Sequence, residues 1–316
     1  MSIVAFGGGT GLPVLLRGLR ARPRTTVTAV VGHRDDGGSS GRVGAQLQIA
    51  APGDVRNCLV ALADDDLVAE VFSHRFAQGD ELRGHAVGNL IIAALAEMAG
   101  DFASGIDLAG RMLHTCGHVY PAATARVTLV FEHLDGSITR GESNVGTAPS
   151  AVRRVVIEPA GIPAPRPVLD ALAAAELVAL SAGSLFTSTI PALLGAGVAE
   201  TLAGLDRPIV YVANVMTQPG ETTGFSLSDH VRAIIDHAGP IVSDVLVHDG
   251  PLAGATVARY AAEGAAPVAV DRDAVERLGI RVHTDRLLVE RDGEEVRHDP
   301  VRLGHALAAL NTGPAR

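Results

Sequence analysis

Short apolar runs alternate along this chain with stretches of helical periodicity, the pattern of a mainly parallel sheet covered by helices on both faces. Residues 3–6 read as a buried strand, 12–19 as the helix after it and 27–31 as a second strand. Helical spacing recurs over 54–63 and 87–97. Segments 126–132 and 137–142 flank Asp135-Gly136, a hairpin signal, and 155–158 reads as a further strand. A proline-rich linker, 159–167, marks a boundary between two sublobes of one α/β domain spanning 1–316.

The alternation then resumes. Residues 168–175 read as a helix, 177–180 and 209–213 as strands, 228–237 as a helix, 242–247 as a strand and 256–263 as a helix. A second hairpin is expected where 287–290 and 295–297 flank Asp292-Gly293. Pro300 suits the first turn of a last helix that ends at Leu310. The expected architecture is Rossmann-like, with a small hairpin and C-terminal subregion.

Composition narrows the function. Of 316 residues, 47% are hydrophobic, which excludes disorder and allows a large core. Net charge is -9, so no basic stripe for nucleic acid is expected. The one basic run, from Arg17 to Arg24, reads as a solvated helix end. No run approaches the ~18 apolar residues of a membrane span. The N-terminus enters a strand directly, without the pattern of a signal peptide. Cys58 and Cys116 lack metal or disulfide spacing, so a reduced, cytoplasmic compartment is expected.

Candidate chemistry sits on the loops. The first strand runs into Gly7-Gly8-Gly9-Thr10-Gly11-Leu12, where backbone amides and a helix N-terminus can hold a phosphate. A tight turn without ligand is the alternative, because the spacing matches neither a GxGxxG fingerprint nor a Walker loop. After the second strand come Asp35-Asp36-Gly37-Gly38-Ser39-Ser40. Adjacent carboxylates beside hydroxyls suit Mg²⁺ or ribose hydroxyls next to a phosphate, and a plain loop is the alternative. Both loops follow consecutive strands, so both belong at the carboxyl edge of one sheet, where open α/β folds bind ligands.

Asn57 falls in the first turn of a helix that Asp54 is expected to cap. His85 and Asn89 share a face at the start of another helix, and His85 is the candidate for any proton transfer. Residues 181–188, with Ser184 and Thr187, form a third anion cradle of amides and hydroxyls. Asn214, Thr217 and Gln218 follow a strand, where side-chain amides can orient a base or sugar. Tyr211 alternates with core residues. Tyr260 is a candidate for stacking on a base, and Arg297-His298-Asp299 for a diphosphate contact.

The stretches GGGTGL, DDGGSSG, PGDVRNCLVALAD, GHAVGNL, DGSITRGES, GSLFTS and NVMTQPGET, in this order, resemble the YvcK-type gluconeogenesis-factor family. More distantly the chain is similar to CofD, the 2-phospho-L-lactate transferase of deazaflavin cofactor synthesis. The resemblance spans residue 4 to about 300, nearly the whole chain. It implies a CofD-type fold, UDP-N-acetylglucosamine as ligand, and a regulatory role in cell shape and peptidoglycan precursor supply. It places Gly8 to Leu12, Asp35, Asp36, Ser39, Asn57, His85, Asn89, Ser184, Thr187, Asn214 and Gln218 at the ligand, with Tyr260 and Arg297 contacting the nucleotide sugar. Two departures stand out: Ser181-Ala182-Gly183-Ser184 where the family usually has Gly-Pro-Gly-Ser, and His33-Arg34 before the double aspartate.

Three functions compete on these grounds. The first is a nucleotide-sugar-binding regulator, expected as a homodimer. The second is a Mg²⁺-dependent CofD-like transferase, with Asp35 and Asp36 as metal ligands. Its flat acceptor calls for an aromatic slot, and a chain with no Trp, 3 Tyr and 7 Phe is poorly supplied to build one. The third, an NAD(P)-dependent oxidoreductase, is disfavoured by the missing fingerprint and the lack of a Tyr-x-x-x-Lys pair.

Overall fold

Period-two burial explains the centre of the molecule. In β1 (Ser2–Gly7), Val4 and Phe6 face one side of the sheet, while Ile3 and Ala5 face the other. All four are fully buried, which only a sheet covered on both faces permits. The computed structural model describes residues 1–32, 38–148, 150–290 and 293–311.

From β1 the chain passes through α1 (Gly11–Arg20) to β2 (Thr26–Val31). Five helices follow: α2 (Gly38–Leu47), α3 (Gly53–Leu62), α4 (Asp66–Ser73), α5 (Val87–Ala99) and α6 (Phe102–Met112). After β3 (His118–Pro121) come β4 (Thr128–His133), β5 (Ile138–Arg140) and β6 (Val152–Glu158). The remainder runs α7 (Arg166–Ala173), β7 (Leu177–Leu180), α8 (Val198–Ala203), β8 (Ile209–Val212), α9 (Leu227–Ala238), β9 (Asp244–His248), α10 (Gly254–Ala262), α11 (Arg272–Glu276), β10 (Arg281–Asp285) and α12 (Pro300–Leu310).

Seven strands form a parallel sheet in the order β10-β9-β8-β7-β1-β2-β3. One core lies between this sheet and α1, α3, α5, α6 and α12, built on Leu12, Leu15, Leu59 and Leu307. The other face is covered by α7, α9 and a three-stranded antiparallel sheet, β5-β4-β6, whose Leu129, Phe131 and Val155 pack with Phe6 and Val30. The first expected hairpin is β4–β5, with Gly136 at positive φ in its turn. No helix among the described residues is long and apolar enough to cross a membrane.

The topology creates a crevice. After β1 the chain turns into α1, whose Leu12, Leu15 and Leu16 enter one core; after β7 it turns the opposite way, and Leu185, Phe186 and Ile190 enter the other. Neighbouring parallel strands whose connections diverge leave a cleft at their carboxyl ends.

Several expectations need correction. Residues 38–42, read as part of a loop, instead begin helix α2, which forms despite three glycines and two serines. The second hairpin is reduced, among described residues, to an isolated antiparallel bridge between Leu288 and His298. Asp54 does not cap its helix: Pro52 holds that position, and Asp54 sits in the first turn with its carboxylate turned elsewhere.

Candidate functional site

A cleft of about 530 Å³ opens at the β1/β7 divergence. One wall is the glycine loop and the start of α1. Gly9 adopts a left-handed φ of +57°, and Gly9, Thr10 and Gly11 line the cleft. A Cβ on Gly11 would lie 2.5 Å from the Ala182 carbonyl oxygen, so glycine is what lets the two walls meet. The N-terminus of α1 carries no side-chain cap and no acid in its first turn, leaving its positive end directed at the cleft. The Gly9 amide donates to Asp54 Oδ2 at 2.6 Å, which ties the loop to α3.

The loops after β7 and β8 make the facing wall. Residues Leu185–Thr189 form one turn of π-helix, in which the Thr189 amide donates to the Ser184 carbonyl. Ser184 Oγ donates to the Glu221 carboxylate at 2.6 Å, and the Phe186 amide donates to the same carboxylate at 3.3 Å. The expected anion cradle at 181–188 therefore already holds a carboxylate of this chain. Asn214 is spent on structure: its Oδ1 accepts from Tyr211 Oη at 2.7 Å, and its Nδ2 donates to the Gly183 carbonyl at 2.8 Å. Tyr211 is core, as expected, and burial pushes its phenol pKa well up, only partly offset by the hydrogen bond at Asn214.

Tyr260 and Arg297 close the cleft from α10 and the segment before α12. Tyr260 Oη accepts from the Val296 amide at 2.9 Å, which fixes the ring, and the Arg259 guanidinium covers it at 5.5 Å from the centroid. Arg297 pairs with Glu295 at 2.7 Å. His298 also lines the cleft, and burial above all, with help from His248, lowers its pKa to about 4, so it is neutral near pH 7. Asp299 belongs to the fold instead, accepting from the Arg302 amide to cap α12.

The cleft thus gathers Gly9, Thr10, Gly11, Asn57, Ser184 and Thr187 with Asn214, Thr217, Gln218, Tyr260 and Arg297. Gly8 stands behind it, where a Cβ would meet Asp54 Oδ2 at 2.8 Å, and the Leu12 side chain is core. A neighbouring cluster takes four other candidates. His85 Nδ1 bonds Ser39 Oγ at 2.9 Å and Nε2 approaches Arg42 at 3.2 Å, while Asn89 donates to Ser40 Oγ at 2.9 Å. Gly38 begins the helix that carries this cluster. Ser40 packs on Gly53, so the cluster abuts the cleft through α3 without lining it. Asp35 and Asp36, with His33 and Arg34, lie outside the described residues.

Sequence reasoning did not assign Glu142, Glu221 or Glu295 to the site, nor Asp54 as a binder of the glycine loop. With Asp54 these put four carboxylates against one guanidinium in the described lining. The signal for Glu221 was present in NVMTQPGET, but nothing local says that its carboxylate crosses to the β7 loop 37 residues away. Among the described residues no group of three or more His, Cys, Asp or Glu is placed to hold a metal ion.

Comparison with known proteins agrees in family and fold. The family model described as 2-phospho-L-lactate transferase CofD matches residues 3–288. A gluconeogenesis factor of Halalkalibacterium halodurans is 42% identical over 308 residues, covering 97% of this chain and 95% of its own. The gluconeogenesis factor of Bacillus subtilis is 39% identical over 310 residues, with 98% and 97% covered. The crystal structure of a UPF0052-family protein from Bacillus halodurans aligns with TM-score 0.93 and 42% identity, covering 96% of this chain and 98% of that one.

Proposed function

The chain belongs to the CofD family and is similar over nearly its whole length to gluconeogenesis factors, and from that premise we propose that it is a regulatory protein binding a nucleotide sugar of the UDP-N-acetylglucosamine type. One observation carries the reading: a cleft at the sheet's switch point has an uncapped helix N-terminus on one wall and a fixed tyrosine ring with Arg297 beside it. The first suits phosphates and the second a base. The diphosphate is proposed to enter with a divalent cation such as Mg²⁺, with Asp35 and Asp36 as the proposed metal-proximal carboxylates. A cytoplasmic homodimer acting in cell shape and peptidoglycan precursor supply completes the proposal.

The family description also keeps a phospho-acyl transferase in view. Binding and turnover separate the two. Native mass spectrometry of protein purified without added ligand should retain a UDP-sugar mass, and titration should give saturable UDP-N-acetylglucosamine binding with no protein-dependent release of UDP or UMP. Retention of a GDP derivative, or release that depends on the protein, supports the transferase instead. Saturable binding that is identical in EDTA and in excess Mg²⁺ counts against a cation bridge.

A further inference from the structure

We infer that a small apolar pocket beside the cleft takes the base of the ligand, with His248 donating its Nε2 proton to a ring carbonyl. The inference rests on the nucleotide-sugar reading and adds to it a direction for the ligand and a residue that reads the base.

The pocket, of about 250 Å³, opens at the carboxyl ends of β8 and β9 and shares Asn214 and Val215 with the cleft. Val247, Leu252, Val257, Pro267 and Val268 supply most of its wall, and its lining holds no Asp, Glu, Lys or Arg. Such a lining turns away phosphate, which would lose its water with no cation to replace it. A hexose fares little better, because each buried hydroxyl needs a partner. What remains of a nucleotide sugar is the base, a flat neutral ring that meets apolar side chains with its faces and hydrogen-bonds at its edge.

Position agrees with chemistry. Helix α1, whose N-terminus suits the phosphates, leaves from β1, and the pocket begins at β8, two strand spacings or about 10 Å away in the sheet order. A ribose spans a gap of that size between a diphosphate and its base. Val257 lies three residues before Tyr260 on α10, so the two side chains share a face of that helix, one in the pocket and one in the cleft. A ring lying against Tyr260 is thus next to the mouth of the pocket.

Of the two polar side chains in the lining, Asn214 is bound at both ends to the fold. His248 is bound at one: the Leu287 amide donates to its Nδ1 at 3.1 Å. A backbone amide can only donate, so Nδ1 presents a lone pair and the proton of the neutral ring is on Nε2. Burial lowers the His248 pKa from its ordinary 6.5, against the pull of Asp249 and Glu290, which keeps the ring neutral near pH 7. Nothing among the described residues bonds Nε2. Gly250 keeps it uncovered: a Cβ there would stand 3.0 Å from Nε2, although φ at this glycine lies outside the left-handed region and the backbone does not call for it. One unpaired N–H in an apolar pocket is complemented by one acceptor, and a ring carbonyl, as in uracil, is an acceptor on a flat apolar frame.

Calorimetric titration of the full chain with UDP-N-acetylglucosamine, UDP and inorganic pyrophosphate tests this. His248→Asn keeps an acceptor for the Leu287 amide and withdraws the donor at Nε2. It is expected to weaken both uridine ligands by about tenfold, with pyrophosphate within about threefold of wild type. Gly250→Ala leaves both ring nitrogens in place and covers Nε2, and the same pattern is expected.

Retention of wild-type uridine affinity in either variant overturns the inference, because the base is then read elsewhere. A parallel loss of pyrophosphate overturns it too, since the change would then have reached the phosphate wall. Should His248→Asn fail to fold, Gly250→Ala decides alone, because it leaves the Leu287 bond intact. Wild-type protein that binds both uridine ligands, with both variants unchanged, removes this inference and leaves the nucleotide-sugar reading standing. Wild-type protein that binds pyrophosphate but neither uridine ligand, or none of the three, removes that reading and this inference with it.

Discussion

At the amino edge of the seven-stranded sheet, Asp244 is almost fully buried and every proton aimed at it has a donor in place. Arg281 grips it with two bonds of 2.8 and 2.9 Å, His283 adds one at 2.7 Å and Ser243 one at 2.6 Å. At the carboxyl side, buried polar atoms go without partners: Ser181 Oγ, Gln218 Oε1, His298 Nε2, and the Nε and Nη1 of Arg56. Burial above all, with the charge of Arg75, lowers the Arg56 pKa to about 10. Asn89 Oδ1 and His230 Nε2, in the first turns of α5 and α9, complete the set among described residues. Buried polar groups are normally satisfied, so the contrast sorts the edges by purpose. One edge is finished by folding, and the other waits for something that folding does not supply.

The sharpest break in that contrast comes from Asp244→Asn. It removes the charge that Arg281 and His283 converge on and should cost about 3 kcal/mol of stability, read by chemical denaturation, with ligand affinity unchanged. Loss of affinity in step with stability would mean that the edges are not independent. The pH dependence sharpens the same point. Burial pushes the Asp244 carboxyl up, but its bonds to Arg281, Ser243 and His283 outweigh this and hold it below the ordinary value. A depressed folded pKa contributes stability that is present above the unfolded value of about 3.9 and lost as pH falls through the folded one. His298 acts in a different window. Its folded value of about 4 lies below its ordinary 6.5, so the unfolded chain takes up the proton first and stability falls between those two pH values. Wild type should therefore lose stability in two stages on acidification, and Asp244→Asn should remove the lower one.

A smaller effect is expected at the carboxyl edge from Gly11→Ala. The new Cβ meets the Ala182 carbonyl and forces the two walls apart, so affinity for UDP-N-acetylglucosamine should fall by about tenfold, with a stability cost of about 1–2 kcal/mol. A drop in stability matching that of Asp244→Asn would make Gly11 a fold residue rather than a site residue. The least effect should come from Tyr260→Phe. It deletes only the acceptor of the Val296 amide, and a loss of about threefold in affinity is the expected outcome by titration. An unchanged affinity would mean that the ring needs no fixing.

Much of this was legible in the chain itself. The runs at β1, β2, β7, β8 and β9 are apolar on both faces, which names buried parallel strands without tertiary information. Strands β3 and β10 were not read. Their sequences, HVYP and RVHTD, lie at the sheet's two ends, where one side has no neighbouring strand and polar residues are tolerated. Helix α2 was hidden for a related reason: GSSGRVGAQL has the local preferences of a loop, and contacts with α5 override them.

The site divides in the same way. Glycines before a helix, hydroxyls after a strand and an amide pair at a strand end are local signals, and they single out Gly9, Ser184 and Gln218, which the fold brings to one cleft. Only the tertiary structure decided that Asp54 serves the glycine loop, that Glu221 takes the seat reserved for an anion, and that His85 stands in an adjoining cluster with both ring nitrogens engaged. Each of those outcomes joins residues 37 to 46 positions apart across different strand connections. Sequence fixes which groups each loop carries, because that follows from composition and period; which groups face one another depends on the direction in which each connection leaves the sheet, and that is settled only when both faces have found their cores.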